Sequence, residues 1–158
     1  MKLENEVISL ETAKKFKELE FEQKSLFYWD VIDERAYTVN YCAYSCPGLE
    51  RYSAFTVSEL MERMPQWVDT KKGEPYNNFN FHLDIRRIYL EDKLTRMYCV
   101  NYYCDTRGFD SKGNFLNTLN LFEHAIFDKN LADCLAKVLF YMIDNGFIKN
   151  DKLHRNDI

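Results

Sequence analysis

The residues best suited to acid–base chemistry form a short row in a strand-like segment. Asn80, His82 and Asp84 alternate with apolar residues, so their side chains are predicted to lie on one face of a β-strand. An imidazole beside a carboxylate can act as a general base near neutral pH. Together with Arg86 and the 105–114 loop, the row is compatible with a small-molecule or nucleotide-modifying site. The alternative is a solvated sheet face, which needs the same alternation.

Four of the five cysteines are spaced in two pairs that could bind zinc, namely Cys42 with Cys46 and Cys99 with Cys104. A structural zinc site uses four such ligands, usually two residues apart within each pair. Here the gaps are three and four residues, and on one extended strand Cys99 and Cys104 would point to opposite faces. We therefore predict buried thiols, with no metal and no cofactor. An odd cysteine count without a small disulfide framework also predicts a reducing, cytoplasmic compartment.

Motifs of the common enzyme classes are absent from the sequence. It contains no phosphate-binding glycine loop, no nucleophile elbow and no H-E-x-x-H. The net charge of −4 and the shortness of the basic clusters give no reason to expect a nucleic-acid partner. The N-terminus is acidic, and no apolar run approaches the roughly 20 residues of a membrane helix. These features favour a cytoplasmic protein that is not an enzyme and has no membrane partner.

Tyrosines are the residues that could make a binding surface. Tyr37 and Tyr41 share parity in one strand-like run, and Tyr98 and Tyr102 share it in another. Tyrosine supplies a large contact area and a hydroxyl at low entropic cost, which suits a protein interface. The same rings could instead pack beneath helices as core. Both interpretations remain open from the sequence.

Three helices are predicted to support these segments. The first follows the N-cap Ser9 over residues 10–19. The second begins at a capping box formed by Thr56 and Glu59 and ends at Pro65. The third follows Asn130 and Asp133, which frame a second cap, and it ends near Gly146. This third helix carries a continuous apolar stripe.

The strands are predicted as two hairpins on either side of the second helix. The first joins residues 25–32 to 35–44, and the second joins 79–85 to 96–104. The resulting fold class is α+β, with an antiparallel four- to five-stranded sheet and helices packed mainly on one face. Residues 1–148 are predicted to form a single domain, and 149–158 a polar, frayed tail.

Three segments together resemble a known group of proteins. They are SLETAKKFKEL with QKSLFYW (residues 9–19 and 23–29), AFTVSELMERMP (54–65) and ADCLAKVLFYMIDNG (132–146). In this order they are similar to a family of small uncharacterised proteins of tailed phages, prophages and mobile elements, including those of gut Bacteroidetes. The resemblance implies an origin and carries over no catalytic residue. The resemblance spans nearly the whole chain, although residues 66–118 or so follow no recognisable pattern.

The sequence therefore predicts an accessory protein of phage or mobile-element origin that acts by binding another protein or by self-association. The predicted binding surface is the sheet face or edge that carries Tyr98, Tyr102, Asn80, His82 and Asp84. The alternative function is the small-molecule or nucleotide-modifying enzyme with its site near His82 and Asp84.

Overall fold

The structure is a computed structural model that describes part of the chain. Within that part, the regular structure consists of three helices and ten strands. The described residues are 3, 6–33, 37–41, 48–69, 80–89, 95–104, 108–109, 115–116, 119–120 and 125–148. They fall into two compact units. We call Met1–Met64 with Asn130–Ile158 the helical unit, and Pro65–Lys129 the sheet unit.

Helices α1 (Leu10–Glu18) and α2 (Val57–Arg63) begin at the predicted caps. At α2, Thr56 Oγ1 accepts a hydrogen bond from Glu59 N (3.2 Å), and the Glu59 carboxylate accepts one from Thr56 N (2.7 Å). The predicted capping box is therefore confirmed. At α1, Ser9 Oγ accepts from Thr12 N (3.3 Å).

Helix α3 (Leu131–Asp144) shows a cap that differs from the predicted one. Asn130 Oδ1 accepts from Ala132 N (2.8 Å), as an N-cap should. Asp133, in contrast, turns its carboxylate to the start of α1, where it accepts from Ser9 N (2.8 Å) and Ser9 Oγ (3.1 Å). One carboxylate thus joins the N-termini of two helices. Gly146 follows the helix with a φ of 71°, the left-handed conformation that glycine adopts without strain.

The helical unit contains one antiparallel sheet of three strands in the order β2-β1-β3. These strands are β1 (Phe27–Val31), β2 (Tyr37–Tyr41) and β3 (Glu50–Ser53). The fully buried Asp30 is satisfied within this sheet by Arg51 Nε (2.6 Å) and Asn40 Nδ2 (2.8 Å). Trp29 is also buried, and its indole N–H donates to Ile8 O (2.8 Å), which ties β1 to the chain before α1.

The sheet unit is built around the long hairpin of β5 (Asn80–Tyr89) and β6 (Arg96–Cys104). β4 (Trp67–Asp69) pairs with β5, while β9 (Leu119–Asn120) and β10 (Ile126–Asp128) pair with β6, which makes a five-stranded antiparallel sheet. β7 (Gly108–Phe109) and β8 (Phe115–Leu116) form a separate two-stranded ribbon.

The α+β class is confirmed, but the prediction of a single sheet containing both hairpins is wrong. The free edge of β1 is taken by β3, so the first hairpin is completed by a strand of its own unit. The second hairpin is flanked by β4 and β10 instead. All three helices of the described residues belong to the helical unit. The single domain over 1–148 stays a prediction, and the tail 149–158 lies outside the described residues.

Aromatic packing forms the core of the helical unit. The Phe16 ring lies 4.5 Å from that of Phe21, 5.2 Å from Phe55 and 4.6 Å from Phe140, measured between centroids. These contacts bring α1, the segment before α2, and α3 together. In the described part of the chain, no helix has both the length and the apolar character needed to cross a membrane.

Candidate functional site

The register of the β5–β6 hairpin divides the predicted site residues between the two faces of the sheet. His82 pairs with Tyr103, the residue that follows Tyr102. Directly paired residues share a face and successive residues alternate, so Tyr98 and Tyr102 lie on one face, while His82 and Asp84 lie on the other. We call these the tyrosine face and the histidine face. The predicted residues therefore do not form one surface.

Tyr102 belongs to the core of the sheet unit. Its side chain is fully buried, and its hydroxyl donates a hydrogen bond to Pro65 O at 2.5 Å. Burial raises the pKa of the phenol well above its usual range. Phe81, Val100 and Val68 are buried on the same face. The sequence left open whether Tyr102 is a core residue or an interface residue. Its burial makes it a core residue, with no side-chain surface accessible to a partner.

The other end of the tyrosine face is exposed and rich in tyrosine and arginine. In the hairpin register, Arg87 pairs with Tyr98, and Tyr89 pairs with Arg96. Ile85, on the same face, is 37% exposed, Tyr89 is 55% exposed, and Tyr98 is half-buried. We call Ile85, Arg87, Tyr89, Arg96 and Tyr98 the arginine–tyrosine surface. It retains Tyr98 from the predicted site and adds four residues that the sequence reasoning did not select.

The arginine–tyrosine surface carries the positive charges of Arg87 and Arg96. Within the described part of the chain, no carboxylate forms an ion pair with Arg87 or Arg96. The Arg96 guanidinium lies 5.9 Å from the centre of the Tyr89 ring, a cation–π arrangement that leaves its N–H groups able to donate. Arg86, one residue away on the opposite face, is bound by Asp84. The two arginines share this face with Asp128 of β10, which pairs with Tyr98, in a chain whose net charge is −4.

The histidine face offers weaker chemistry than its residue types suggest. The Asp84 carboxylate is held by Arg86, with Oδ2 2.6 Å from Nε, and the His82 ring is 6.3 Å from that of Tyr103 between centroids. Burial, and secondarily the charge of Asp84, raises the pKa of the Cys99 thiol above its ordinary value. A thiol in that state is a poor nucleophile at neutral pH.

Parts of the predicted sites lie outside the described residues. Asn80 begins β5 and pairs with Asp69 along the backbone, but its side chain is among those not described. The same holds for the side chain of Cys104 and for Cys42 and Cys46 entirely. The zinc alternative therefore stays untested. Within the described residues, no three His, Cys, Asp or Glu side chains are grouped as a metal site would require.

The arginine–tyrosine surface had a detectable signal in the sequence. The alternation that begins at Phe81 continues through Ile85, Arg87 and Tyr89, but Arg87 interrupts the apolar pattern, so the predicted strand ended at Ile85. In the structure β5 continues to Tyr89 and β6 begins at Arg96. Residues 90–94, between these strands, lie outside the described residues.

Comparison of the chain with protein-family models, curated proteins and solved structures found no match.

Proposed function

We propose that this protein is a non-enzymatic binding module whose partner is another protein, and that the arginine–tyrosine surface makes the contact. The observation that carries the proposal is the pairing of the exposed Tyr89 with Arg96 beside Tyr98 and Arg87. Tyrosine and arginine are the residues, with tryptophan, that contribute most to binding energy at protein interfaces. They combine a large apolar area with hydrogen-bond donors that fix orientation.

The hairpin presents these side chains on a rigid base. β5 and β6 are paired without interruption from His82 and Tyr103 to Tyr89 and Arg96. The same face is packed as core around Tyr102, so the exposed end is anchored by the buried end. Binding then requires ordering of side chains and not of backbone, which lowers the entropic cost of association.

The charge of the surface indicates the chemistry of the partner. Arg87 and Arg96 are both exposed and lie on adjacent strands. An acidic patch on the partner would complement them and speed association. A protein partner is preferred over nucleic acid because the chain as a whole is acidic. The enzyme alternative near His82 and Asp84 has less support, since Asp84 is already held by Arg86 and the Cys99 thiol is not activated.

We further propose that the protein is an accessory protein of phage or mobile-element origin that works in the cytoplasm. The support for the origin is the resemblance of residues 9–19, 23–29, 54–65 and 132–146 to that family. The support for the compartment is the odd number of cysteines without a disulfide framework.

Charge reversal with quantitative co-purification tests the binding proposal. The tagged wild-type protein is expressed in the cells that carry its gene, and its co-purified proteins are compared with those of Arg87→Glu combined with Arg96→Glu. Lys24→Glu is the matched control, because Lys24 is exposed, belongs to the helical unit and makes one exposed ion pair with Glu22. We expect one acidic protein to be lost from the double variant and kept by the control. Equal recovery by all three proteins would contradict the proposal.

A further inference from the structure

The outer edge of β2 is a second surface, and it lies in the helical unit. β2 ends the strand order β2-β1-β3, and no other strand of the described residues pairs with its outer side. Residues 37–41 include no charged residue and no proline. Charges and prolines are the devices by which proteins usually keep an exposed strand edge from pairing with another chain. Within residues 37–41, β2 therefore carries neither of these two forms of protection.

Aromatic side chains extend to this edge. Tyr37 is 53% exposed and Tyr41 46% exposed. The Tyr37 ring packs edge-on against Trp29 (5.4 Å between centroids), and the Tyr41 ring against Phe27 (5.8 Å). Both tyrosines are thus held in place on one side and open on the other. A strand added to the edge would cover their open sides.

The sequence of β2 is nearly the same read in either direction. It is Tyr37-Thr38-Val39-Asn40-Tyr41, with a tyrosine at each end, a small polar residue at each inner position and Val39 at the centre. An antiparallel pair of two such strands about a two-fold axis at Val39 would place Tyr37 opposite Tyr41 of the second copy, and Thr38 opposite Asn40. A two-fold interface requires this kind of self-complementary surface.

The polar pair in this arrangement has matched hydrogen-bonding groups. Asn40 Nδ2 donates to Asp30 Oδ2 (2.8 Å), which fixes the orientation of the amide. Within the described residues Asn40 Oδ1 accepts no hydrogen bond, and the exposed Thr38 hydroxyl makes none. The hydroxyl of Thr38 in one copy could donate to that amide oxygen in the other, twice by symmetry.

We propose that the protein forms a homodimer by antiparallel pairing of β2 with β2 of a second copy, which joins their two sheets into one. The occupant of the edge is a second copy because the strand is complementary to itself in side-chain size, in hydrogen-bonding groups and in its lack of charge. This proposal does not depend on the arginine–tyrosine surface, which belongs to the sheet unit. The two proposals can fail separately.

Sedimentation equilibrium from micromolar to millimolar concentration tests the dimer with a matched pair of variants. Tyr37→Lys with Tyr41→Lys places like charges opposite each other in the proposed register, so the dissociation constant should rise by about tenfold or more. Tyr37→Lys with Tyr41→Glu places each lysine opposite a glutamate of the other copy and should recover most of the affinity. Both variants change the same two exposed positions, and circular dichroism verifies their folding.

A milder variant keeps the test decisive if the double variants do not fold. Thr38→Val preserves the shape of an exposed side chain and removes the proposed donor to Asn40, so the dissociation constant should rise about tenfold. A wild-type protein that stays monomeric at the highest concentration would overturn the proposal. So would equal dissociation constants for the two double variants, or for Thr38→Val and the wild type, because each would contradict the register about Val39.

Discussion

The boundary between core and surface on the tyrosine face can be tested by removing one oxygen atom. Tyr102→Phe deletes the hydroxyl that donates to Pro65 O at 2.5 Å and leaves the buried ring in place. A net hydrogen bond contributes about 0.5–1.5 kcal/mol, and a buried acceptor left without a donor costs about 1–3 kcal/mol. Since the Pro65 region is only partly buried, we expect a loss of about 1–2 kcal/mol in the free energy of unfolding.

The matched change at Tyr89 should behave differently. Tyr89 lies on the same face but is 55% exposed, so Tyr89→Phe should change the free energy of unfolding by less than about 0.5 kcal/mol. The alanine variants widen the contrast. Removing the buried ring with Tyr102→Ala should cost about 3–5 kcal/mol, whereas Tyr89→Ala should remain close to the wild type.

Urea unfolding, followed by circular dichroism and by tryptophan fluorescence, measures these differences, and the agreement of the two probes shows whether unfolding is two-state. Equal and small effects of Tyr102→Phe and Tyr89→Phe would refute the reasoning. In that case the Tyr102 phenol would not be a buried donor, and the boundary between the buried and exposed ends of the tyrosine face would lie elsewhere.

Three further predictions concern stability and reactivity. Asp133→Ala should lower the free energy of unfolding by about 2–4 kcal/mol, because the buried carboxylate accepts hydrogen bonds from both Ser9 N and Ser9 Oγ. Asp133→Asn keeps an acceptor oxygen, so it should lower the free energy of unfolding by less in the same urea titration. The free energy of unfolding should fall as pH rises from 10 to about 12. Burial and the hydrogen bond to Glu50 raise the pKa of Tyr52 from 10.0 to about 12 in the folded state, so the unfolded state loses its proton first. A Tyr52→Phe variant with the same pH dependence of its melting temperature as the wild type would contradict this. Alkylation of Cys99 near neutral pH should be slower in the wild type than in Asp84→Asn, since the charge of Asp84 contributes to the raised pKa of the Cys99 thiol. Mass spectrometry of the Cys99 peptide gives the alkylation rates. Equal rates would exclude a contribution of Asp84 to the thiol pKa.

Features set by neighbouring residues could be predicted from the sequence. The Thr56–Glu59 capping box depends only on residues three apart, so its donors and acceptors meet wherever the helix forms. The β1–β2 and β5–β6 hairpins follow from alternation on both sides of a short connection.

Features set by distant residues could not be predicted in this way. The sequence showed Asp133 as part of a local cap, but its partner Ser9 is 124 positions away. The run Glu50–Ser53 is only four residues long and has no clear alternation, so nothing indicated that it would occupy the free edge of β1. With that edge filled, the two hairpins form separate sheets.

The candidate site failed as a single surface for a related reason. Alternation shows which residues of one strand share a face, but only the pairing register shows which residues of two strands do. The row through His82 and Asp84 and the pair Tyr98 and Tyr102 were each identified correctly as sharing a face. A shift of one residue in register would have brought them together, and the observed pairing of His82 with Tyr103 separates them.

Site-specific photo-cross-linking at Tyr89 tests the central claim most directly. Benzoylphenylalanine replaces Tyr89 in the protein expressed in the cells that carry its gene, and the same residue at the exposed Ser58 of α2 serves as the control. Our account predicts a discrete adduct with an acidic protein from position 89, absent from position 58 and abolished by Arg96→Glu. An adduct with nucleic acid, the same adducts from both positions, or none from position 89 would contradict it.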